Sequence, residues 1–322
     1  MNAMPHFALE RPATVAQAVA LLARPGARLL AGGTDLLPNL LRGIERPAVL
    51  IDLGAVAGFG AIAWDDRTLA IGAGATLSIL AADARIAAEF PALAQAVHEV
   101  AALAHRNAAT VGGNLCLDTR CVFYNQSEWW RAANQWCLKR GGDTCHVAPQ
   151  GNRCHAAFSG DLAPALIALD AQVEIVSAQG ARHVPLASLY RDDGADHLTL
   201  AAGELVARID VPRVPTMRSG YRKARVRGAI DFPLAGVAIA LAMDGARIAR
   251  IRVALTGTNS HPLALEGVEA LIGQAADEHA QAALGKLVAK QVSPMRTTAT
   301  ASNYRRQVAS AMARRLLREL AA

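Results

Sequence analysis

Over residues 13–24 apolar positions recur with helical spacing: Val15, Ala18, Val19 and Leu22 share one face, and Thr14 stands as the N-cap. A short apolar run at 27–31 predicts a strand, which passes through Gly32-Gly33-Thr34-Asp35 into a predicted helix over 36–42. The run at 49–53 predicts a second strand and completes a unit of βαβ size. Residues 69–77 predict a third strand that enters a second glycine-rich turn, Gly72-Ala73-Gly74-Ala75-Thr76. The alanine-rich segment 78–104 predicts helix, broken at Pro91.

Thr110-Val111-Gly112-Gly113-Asn114 then forms another candidate turn, expected where a helix gives way to a strand. Farther on, the pattern predicts a helix over 161–169 and strands over 173–177 and 204–211. Pro212 and Pro215 mark a boundary. Beyond it the expected order is a strand from Tyr221, a helix over 235–241, a strand over 248–255, and helices near 277–291 and 302–321. There is no internal repeat and no low-complexity tract.

A strand, a glycine turn and a helix start together suit an anion, because glycine lets the backbone approach and the first helical N–H groups point outward. One such turn is explained equally well as a tight turn. Two in one domain carry more, since a dinucleotide pyrophosphate takes donors from two sides. Neither has the Gly-x-Gly-x-x-Gly spacing of a Rossmann unit.

At 322 residues the chain can hold two or three cores, packed with small aliphatics given 52% hydrophobic but only 4% aromatic residues. No apolar run is long enough to span a bilayer, and Met1 to His6 shows no basic region followed by an apolar core, so the expectation is a cytoplasmic protein off the membrane. The net charge of +6 raises the question of nucleic acid. Its densest basic cluster, Arg218, Arg222, Lys223, Arg225 and Arg227, has only Tyr221 interleaved, which favours a solvated or subunit-facing strand and no nucleic-acid partner.

The cysteines change the picture. All five, Cys116, Cys121, Cys137, Cys145 and Cys154, lie within one stretch, with Trp129, Trp130 and Trp136. Clustered thiols in a reducing compartment suggest metal rather than disulfides, and an odd count fits four ligands and a spare. Zinc competes, because Cys145-His146 and Cys154-His155 add nitrogen ligands, but no Cys-x-x-Cys knuckle is present. His105 and Arg106, just before the Gly112-Gly113 turn, suit either a flavin contact or a helix end.

Ala31-Gly32-Gly33-Thr34-Asp35, Gly72 to Thr76, Thr110 to Asn114, Asp161-Leu162, and Tyr304-Arg305-Arg306 with Arg314-Arg315 jointly resemble the FAD-binding medium subunits of the molybdenum hydroxylases, the xanthine oxidase and carbon monoxide dehydrogenase family. The resemblance covers essentially the whole chain. It implies an α+β fold: a two-subdomain FAD-binding domain of the vanillyl-alcohol-oxidase (PCMH) type, not Rossmann, plus a smaller C-terminal α+β domain. The expected bounds are 1–57, 58–215 and 216–322. It also implies FAD contacts at Leu29, Leu30, Ala31, Gly32, Gly33, Thr34, Asp35 and Leu36, at Ala75 and Thr76, and at Thr110, Gly112, Gly113 and Asn114. Asp161 would lie toward the ribose and adenine, and Lys223 near the flavin. Thr34-Asp35 departs from the His-Ser that often follows the two glycines.

Asn114 and Asp161 stand 47 positions apart where most of the family has a short link, and a structureless loop of that length inside a domain is unusual unless it binds something. This insert, about 117–157, is similar to the one in 4-hydroxybenzoyl-CoA reductase, whose medium subunit carries an extra [4Fe–4S] cluster. The resemblance implies ligands at Cys121, Cys137, Cys145 and Cys154, with Cys116 spare in a following strand, the tryptophans shielding the cluster, and N–H groups near Gly141-Gly142 bonding its sulfides. The implied role is electron transfer from a ferredoxin through [4Fe–4S] and FAD to a small subunit with two [2Fe–2S] centres and a large molybdenum-pterin subunit. Such a complex, a dimer of heterotrimers, removes the ring hydroxyl of 4-hydroxybenzoyl-CoA. The alternatives are an oxidising hydroxylase for an aldehyde, purine or other aromatic, and a non-enzymatic zinc- or flavin-binding assembly protein.

Overall fold

The computed structural model describes residues 4–296 and 300–322; Met1 to Ala3, where the reading for a leader begins, lie outside the described residues. Three sheets organise the chain. The first is parallel, with order β1-β3-β2, built from β1 (Ala8–Glu10), β2 (Ala27–Leu30) and β3 (Val49–Asp52). Its strands are joined through α1 (Val15–Leu22) and α2 (Leu36–Leu41). Thr14 caps α1 by accepting from Gln17 N–H, while Gln17 Oε1 accepts from Ala13 N–H. The Thr14 cap, with Gln17 also holding the N–H just before it, starts the helix where the apolar spacing begins.

The second sheet is antiparallel, with order β4-β5-β8-β6-β7: β4 (Ile62–Trp64), β5 (Thr68–Gly72), β6 (Gln172–Ser177), β7 (Gly180–Pro185) and β8 (Leu205–Pro212). Between β5 and β6 the chain makes α3 (Leu77–Ala82), α4 (Ala84–Glu89), α5 (Pro91–Glu99), α6 (Leu103–Ala108) and α7 (Val111–Leu115). The cysteine stretch with α8 (Glu128–Ala133) follows, then α9 (Leu162–Ala168), in which every residue is buried. Pro91 occupies the first turn of α5, where its missing N–H leaves no bond unmade.

The third sheet, order β12-β11-β10-β9, is antiparallel: β9 (Arg218–Ala224), β10 (Ala235–Asp244), β11 (Arg247–Thr256) and β12 (Leu263–Ala264). It packs on α10 (Glu278–Gln291) and α11 (Ser302–Ala321). Here the predicted helix over 235–241 is corrected, because these residues form β10, hydrogen-bonded on both sides to β9 and β11. Val237, Ile239 and Leu241 enter the core shared with α10 and α11, while Ala238 and Ala240 enter the core shared by the first two sheets and their helices. A strand apolar on both faces has no polar alternation, so its run reads like a buried helix.

Arg305 is 3% exposed and anchors α11 by donating to the carbonyls of Leu234 (2.9 Å), Met295 (2.6 Å) and Gly257. The basic cluster of β9 is spent in the same manner. Lys223 pairs with Asp161, Arg225 with Glu99, Arg222 with Glu319 and Arg227 with Asp231, and Arg218 donates to Leu320 O. The net positive charge is therefore not gathered into a free patch on this strand.

Candidate functional site

Gly33 sits at φ +71°, a left-handed conformation that strains any other L residue. Gly32 lies directly on the end of α6, where a Cβ would collide with the Ala108 carbonyl. Leu37 N–H donates to Gly33 O, so the N–H groups ahead of it have no acceptor inside α2. Thr34 at the crest is exposed, and Leu29, Leu30, Ala31 and Leu36 beside it are half-buried.

The other two glycine stretches are zipped together. Leu77 N–H donates to Ala109 O (2.9 Å), Val111 N–H to Ala75 O (2.9 Å) and Gly112 N–H to Ala73 O (2.8 Å). A Cβ on Gly112 would stand 2.8 Å from that of Ala73, so only glycine permits the approach. Thr110 to Asn114 is not a turn entering a strand. It forms the start and body of α7, with Thr110 Oγ1 accepting from Gly113 N–H, and Cys116 ends that helix rather than sitting in a strand. The short helix escaped the sequence reading because two adjacent glycines oppose helix and Thr110 reads equally as a strand residue.

The N–H groups of Gly112 and Gly113 are thus used within the protein. What this turn offers a ligand is the open surface of Gly113, which is exposed and whose Cβ would meet nothing nearer than Thr110 Oγ1 at 3.0 Å. Ala75 points into the core and presents only backbone, whereas the Thr76 hydroxyl pairs with Ser78 Oγ at 3.1 Å. Asn114 Oδ1 accepts from Leu162 N–H at 3.1 Å and so caps α9. Gly32 on α6, residues 73–77 on 109–112, and Asn114 on α9 bring the three predicted stretches into one neighbourhood.

Asp161 and Lys223 meet behind that neighbourhood. Lys223 Nζ is 2.9 Å from Asp161 Oδ2 and 2.9 Å from the Glu99 carbonyl, with neither side chain more than 5% exposed. Tyr221 donates its hydroxyl to Asp161 Oδ1 at 2.6 Å. Burial pushes the Asp161 carboxyl up to about 6, against the pull of Lys223 and of the Tyr221 hydrogen bond. Both carboxylate oxygens are occupied by protein donors, so the pair braces α9 against β9. Tyr221 is the member sequence reasoning treated only as an interleaved aromatic. Arg106 also has a structural duty, donating to the carbonyls of His98 and Val100, while buried His105 Nδ1 has no partner on the helix that carries Ala108.

The insert closes at its neck through Arg120 and Ala157, whose N–H groups donate to each other's carbonyl at 2.8 Å. Inside it Cys121, Cys137, Cys145 and Cys154 all line one cavity with Phe123, Tyr124, Leu138, Lys139, His146, Val147 and Ala156. Its enclosed space is about 10 Å³, room for roughly one water and far below the roughly 300–1,000 Å³ of organic-ligand pockets. All five cysteines are free thiols. Burial pushes Cys154 up to about 12 and Cys121 upward, so both are neutral thiols until something takes the proton.

Lys139 stands at the wall, 7% exposed, donating to Asp118 Oδ1 and Thr119 Oγ1 at 2.6 Å and lying 4.3 Å over the Tyr124 ring. His146, though it lines the same cavity, has its Nε2 engaged by Trp136 O at 2.6 Å, and among the described residues no group of three or more His, Cys, Asp or Glu is disposed to hold a single ion. The expected tryptophan shield is replaced by Phe123, Tyr124, Leu138 and Val147, and Trp129 is 77% exposed. Gly142 N–H is spent on Cys137 O.

Comparison with known proteins agrees with the turns. Residues 5–214 match the FAD binding domain in molybdopterin dehydrogenase, and 219–320 match the CO dehydrogenase flavoprotein C-terminal domain. The chain is 33% identical over 289 residues to the aldehyde oxidoreductase FAD-binding subunit of Escherichia coli (strain K12), covering 85% of this chain and 88% of the relative. It is 29% identical over 313 residues to the carbon monoxide dehydrogenase medium chain of Afipia carboxidovorans, covering 96% and 94%. The solved carbon monoxide dehydrogenase of Hydrogenophaga pseudoflava superposes with a TM-score of 0.82 at 25% identity, over 99% of this chain and 98% of that one. The chain therefore belongs to the family of FAD-binding medium subunits of the molybdenum hydroxylases, with the mixed α/β fold of the carbon monoxide dehydrogenase medium chain. Among the described residues no helix is long and apolar enough to cross a membrane.

Proposed function

We propose that this FAD-binding subunit also holds a [4Fe–4S] cluster in its insert and passes electrons between that cluster and FAD within a molybdenum hydroxylase complex. The observation that carries the reading is the convergence of Cys121, Cys137, Cys145 and Cys154, spread over 33 positions, on one small cavity. Four thiolates are what such a cluster takes. A single zinc ion needs ligands drawn in to about 2.3 Å for sulfur, and the residues are not disposed that way. Binding would take the protons off the buried thiols and set metal charge in their place. Lys139 would then face the resulting thiolate charge from the wall.

FAD, when bound, supplies the exchange between two-electron and one-electron steps. The first glycine turn and the helix start of α2 would hold its pyrophosphate, with Thr34, Thr76, Gly113 and Asn114 around it. Asp161 and Lys223 would act from behind, by fixing α9. The partners in this reading are a large molybdenum-pterin subunit and a small subunit with two [2Fe–2S] centres, since five cysteines here cannot serve those centres as well. A ferredoxin-type donor would deliver low-potential electrons, and the complex would act as a 4-hydroxybenzoyl-CoA reductase. That assignment rests on the insert.

The relatives favour a second reading, in which the complex oxidises an aldehyde or a similar substrate and the insert is an accessory. The test is iron, sulfide, zinc and flavin analysis of the anaerobically purified protein, with paramagnetic resonance after dithionite. About four irons and four sulfides per FAD, with a signal lost in Cys137→Ser, are expected. Zinc, or flavin without iron, would overturn the cluster. Assay of the complex on 4-hydroxybenzoyl-CoA against aldehydes then separates the two directions.

A further inference from the structure

Asp35 follows the first glycine turn and opens α2, yet its carboxylate does not cap that helix. It is taken instead by Arg120, the residue immediately before Cys121. The same guanidinium donates to Asn39 Oδ1 at 3.1 Å, one turn farther along α2. Arg120 is 10% exposed and Asn39 2%, so this contact is a packed joint and not a surface pair. Arg120 also forms the neck of the insert through its paired backbone bonds with Ala157.

The far end of α2 is gripped too. Buried Arg131 donates to Gly43 O, and Ile44 packs in one apolar cluster with Cys121, Tyr124 and Cys154. A helix of six residues has no stability of its own, so its position depends on what it is packed against. Along α2 the insert supplies buried partners at both ends.

We infer that Arg120 is a positioning residue that couples the cysteine cavity to the FAD turn. With the thiols held around a bound group, Cys121 is fixed. The adjacent guanidinium is then fixed on Asp35 and Asn39, and the turn is preorganised for the pyrophosphate. With the cavity empty, the insert is freer and the turn loses that support. Filling the cavity therefore raises FAD affinity, and by linkage FAD raises retention of the bound group by the same factor. The inference rests on the cluster reading above.

The test measures FAD affinity of the full chain by fluorescence titration, as purified anaerobically and after iron is stripped with a chelator. In the unsubstituted protein, stripping should weaken FAD binding about tenfold, within the usual range of such couplings. Arg120→Met and Asp35→Asn should bind FAD about tenfold more weakly while loaded, and stripping should weaken them little further. Arg120→Lys, which keeps the charge without the fork, should fall between, with an unchanged circular dichroism spectrum. FAD affinity in Arg120→Met equal to that of the unsubstituted protein would overturn the inference, as would an equal stripping effect in both. Absence of iron from the purified chain would instead overturn the cluster, and the coupling with it, whatever the Arg120 variants do.

Discussion

Replacing Lys223 by Met leaves Asp161 as a buried carboxylate with no cation. The pair is almost wholly shielded from water, with side chains 0% and 5% exposed, so solvent screening does not soften the loss. Breaking a buried pair by removing one partner costs about 3–5 kcal/mol. A chain of 322 residues unfolds with an entropy of roughly 0.7 kcal/mol/K, so the midpoint should fall by about 4–7 °C where the carboxyl is ionised in variant and parent alike. The pH dependence distinguishes this from lost packing. Burial holds the Asp161 carboxyl at about 6, above the roughly 3.9 of an unfolded chain, so the folded state keeps the extra proton between those values. Its stabilising share is present below the unfolded value and lost as pH rises through that window. Without Lys223 the folded value rises further. The difference between variant and parent should therefore be small near pH 4, where the carboxyl is protonated in both, and should grow as pH rises above about 6, levelling only once the variant's own carboxyl ionises. Thermal unfolding followed by circular dichroism, on FAD-free and FAD-saturated protein separately, reads this directly. Asp161→Asn added to Lys223→Met should recover at least half of the loss, because Tyr221 keeps an acceptor and no charge is stranded. Refutation would be a loss independent of pH, or strictly additive single losses.

Two further outcomes are expected. Gly113→Ala should leave the midpoint within about 2 °C, since the position is exposed and alanine suits a helix better than glycine, which offsets the press of its Cβ on the Thr110 hydroxyl 3.0 Å away. If the surface of Gly113 is where the cofactor lies, FAD affinity should nonetheless drop about tenfold or more, and an unchanged affinity would remove that surface from the site. His197 is 8% exposed, donates from Nε2 to Leu117 O at 3.0 Å, and is lowered by burial to about 4, with Lys139 adding to the shift. Its neutral form contributes stability that is whole above about 6.5 and lost as pH falls toward 4, by up to about 3 kcal/mol. His197→Gln should flatten that limb of the stability curve, and an unchanged limb would assign it to other groups.

Sequence made legible those features whose cause is local. The N-cap at Thr14, the break at Pro91, and the first glycine turn all follow from residues within a few positions of one another. Features whose cause lies across the fold were hidden. β10 read as helix because both its faces are covered, by elements far away in sequence. The Tyr221 hydroxyl meets Asp161 across 60 positions, and Arg120 reaches Asn39 across 81. Composition suggested that tryptophans would cover the cysteines, but α8 carries Trp129 outward while the shorter Phe123 and Tyr124 fill the wall. The convergence of the thiols was only a consequence of their number and the family resemblance until the insert was seen closed.

The supports of that insert bear on what it is for. Arg120, Arg131 and Lys139 are each at most 10% exposed, and their partners are Asp35, Asn39, Asp118, Thr119 and backbone carbonyls. None of these bonds involves a thiol needed for ligation, so they leave all four thiols available to a bound group. Burying cations costs several kcal/mol per ion before compensation. A loop that only covered surface could be held by apolar contacts at no such cost. Four thiolates around a bound group would present concentrated negative charge, which Lys139 on the cavity wall would reduce, while Arg120 and Arg131 tie the loop to α2 and the residues just past it. On the proposed reading the insert would be a second cofactor site joined to the first through Arg120, which is why perturbing the one should register in the other.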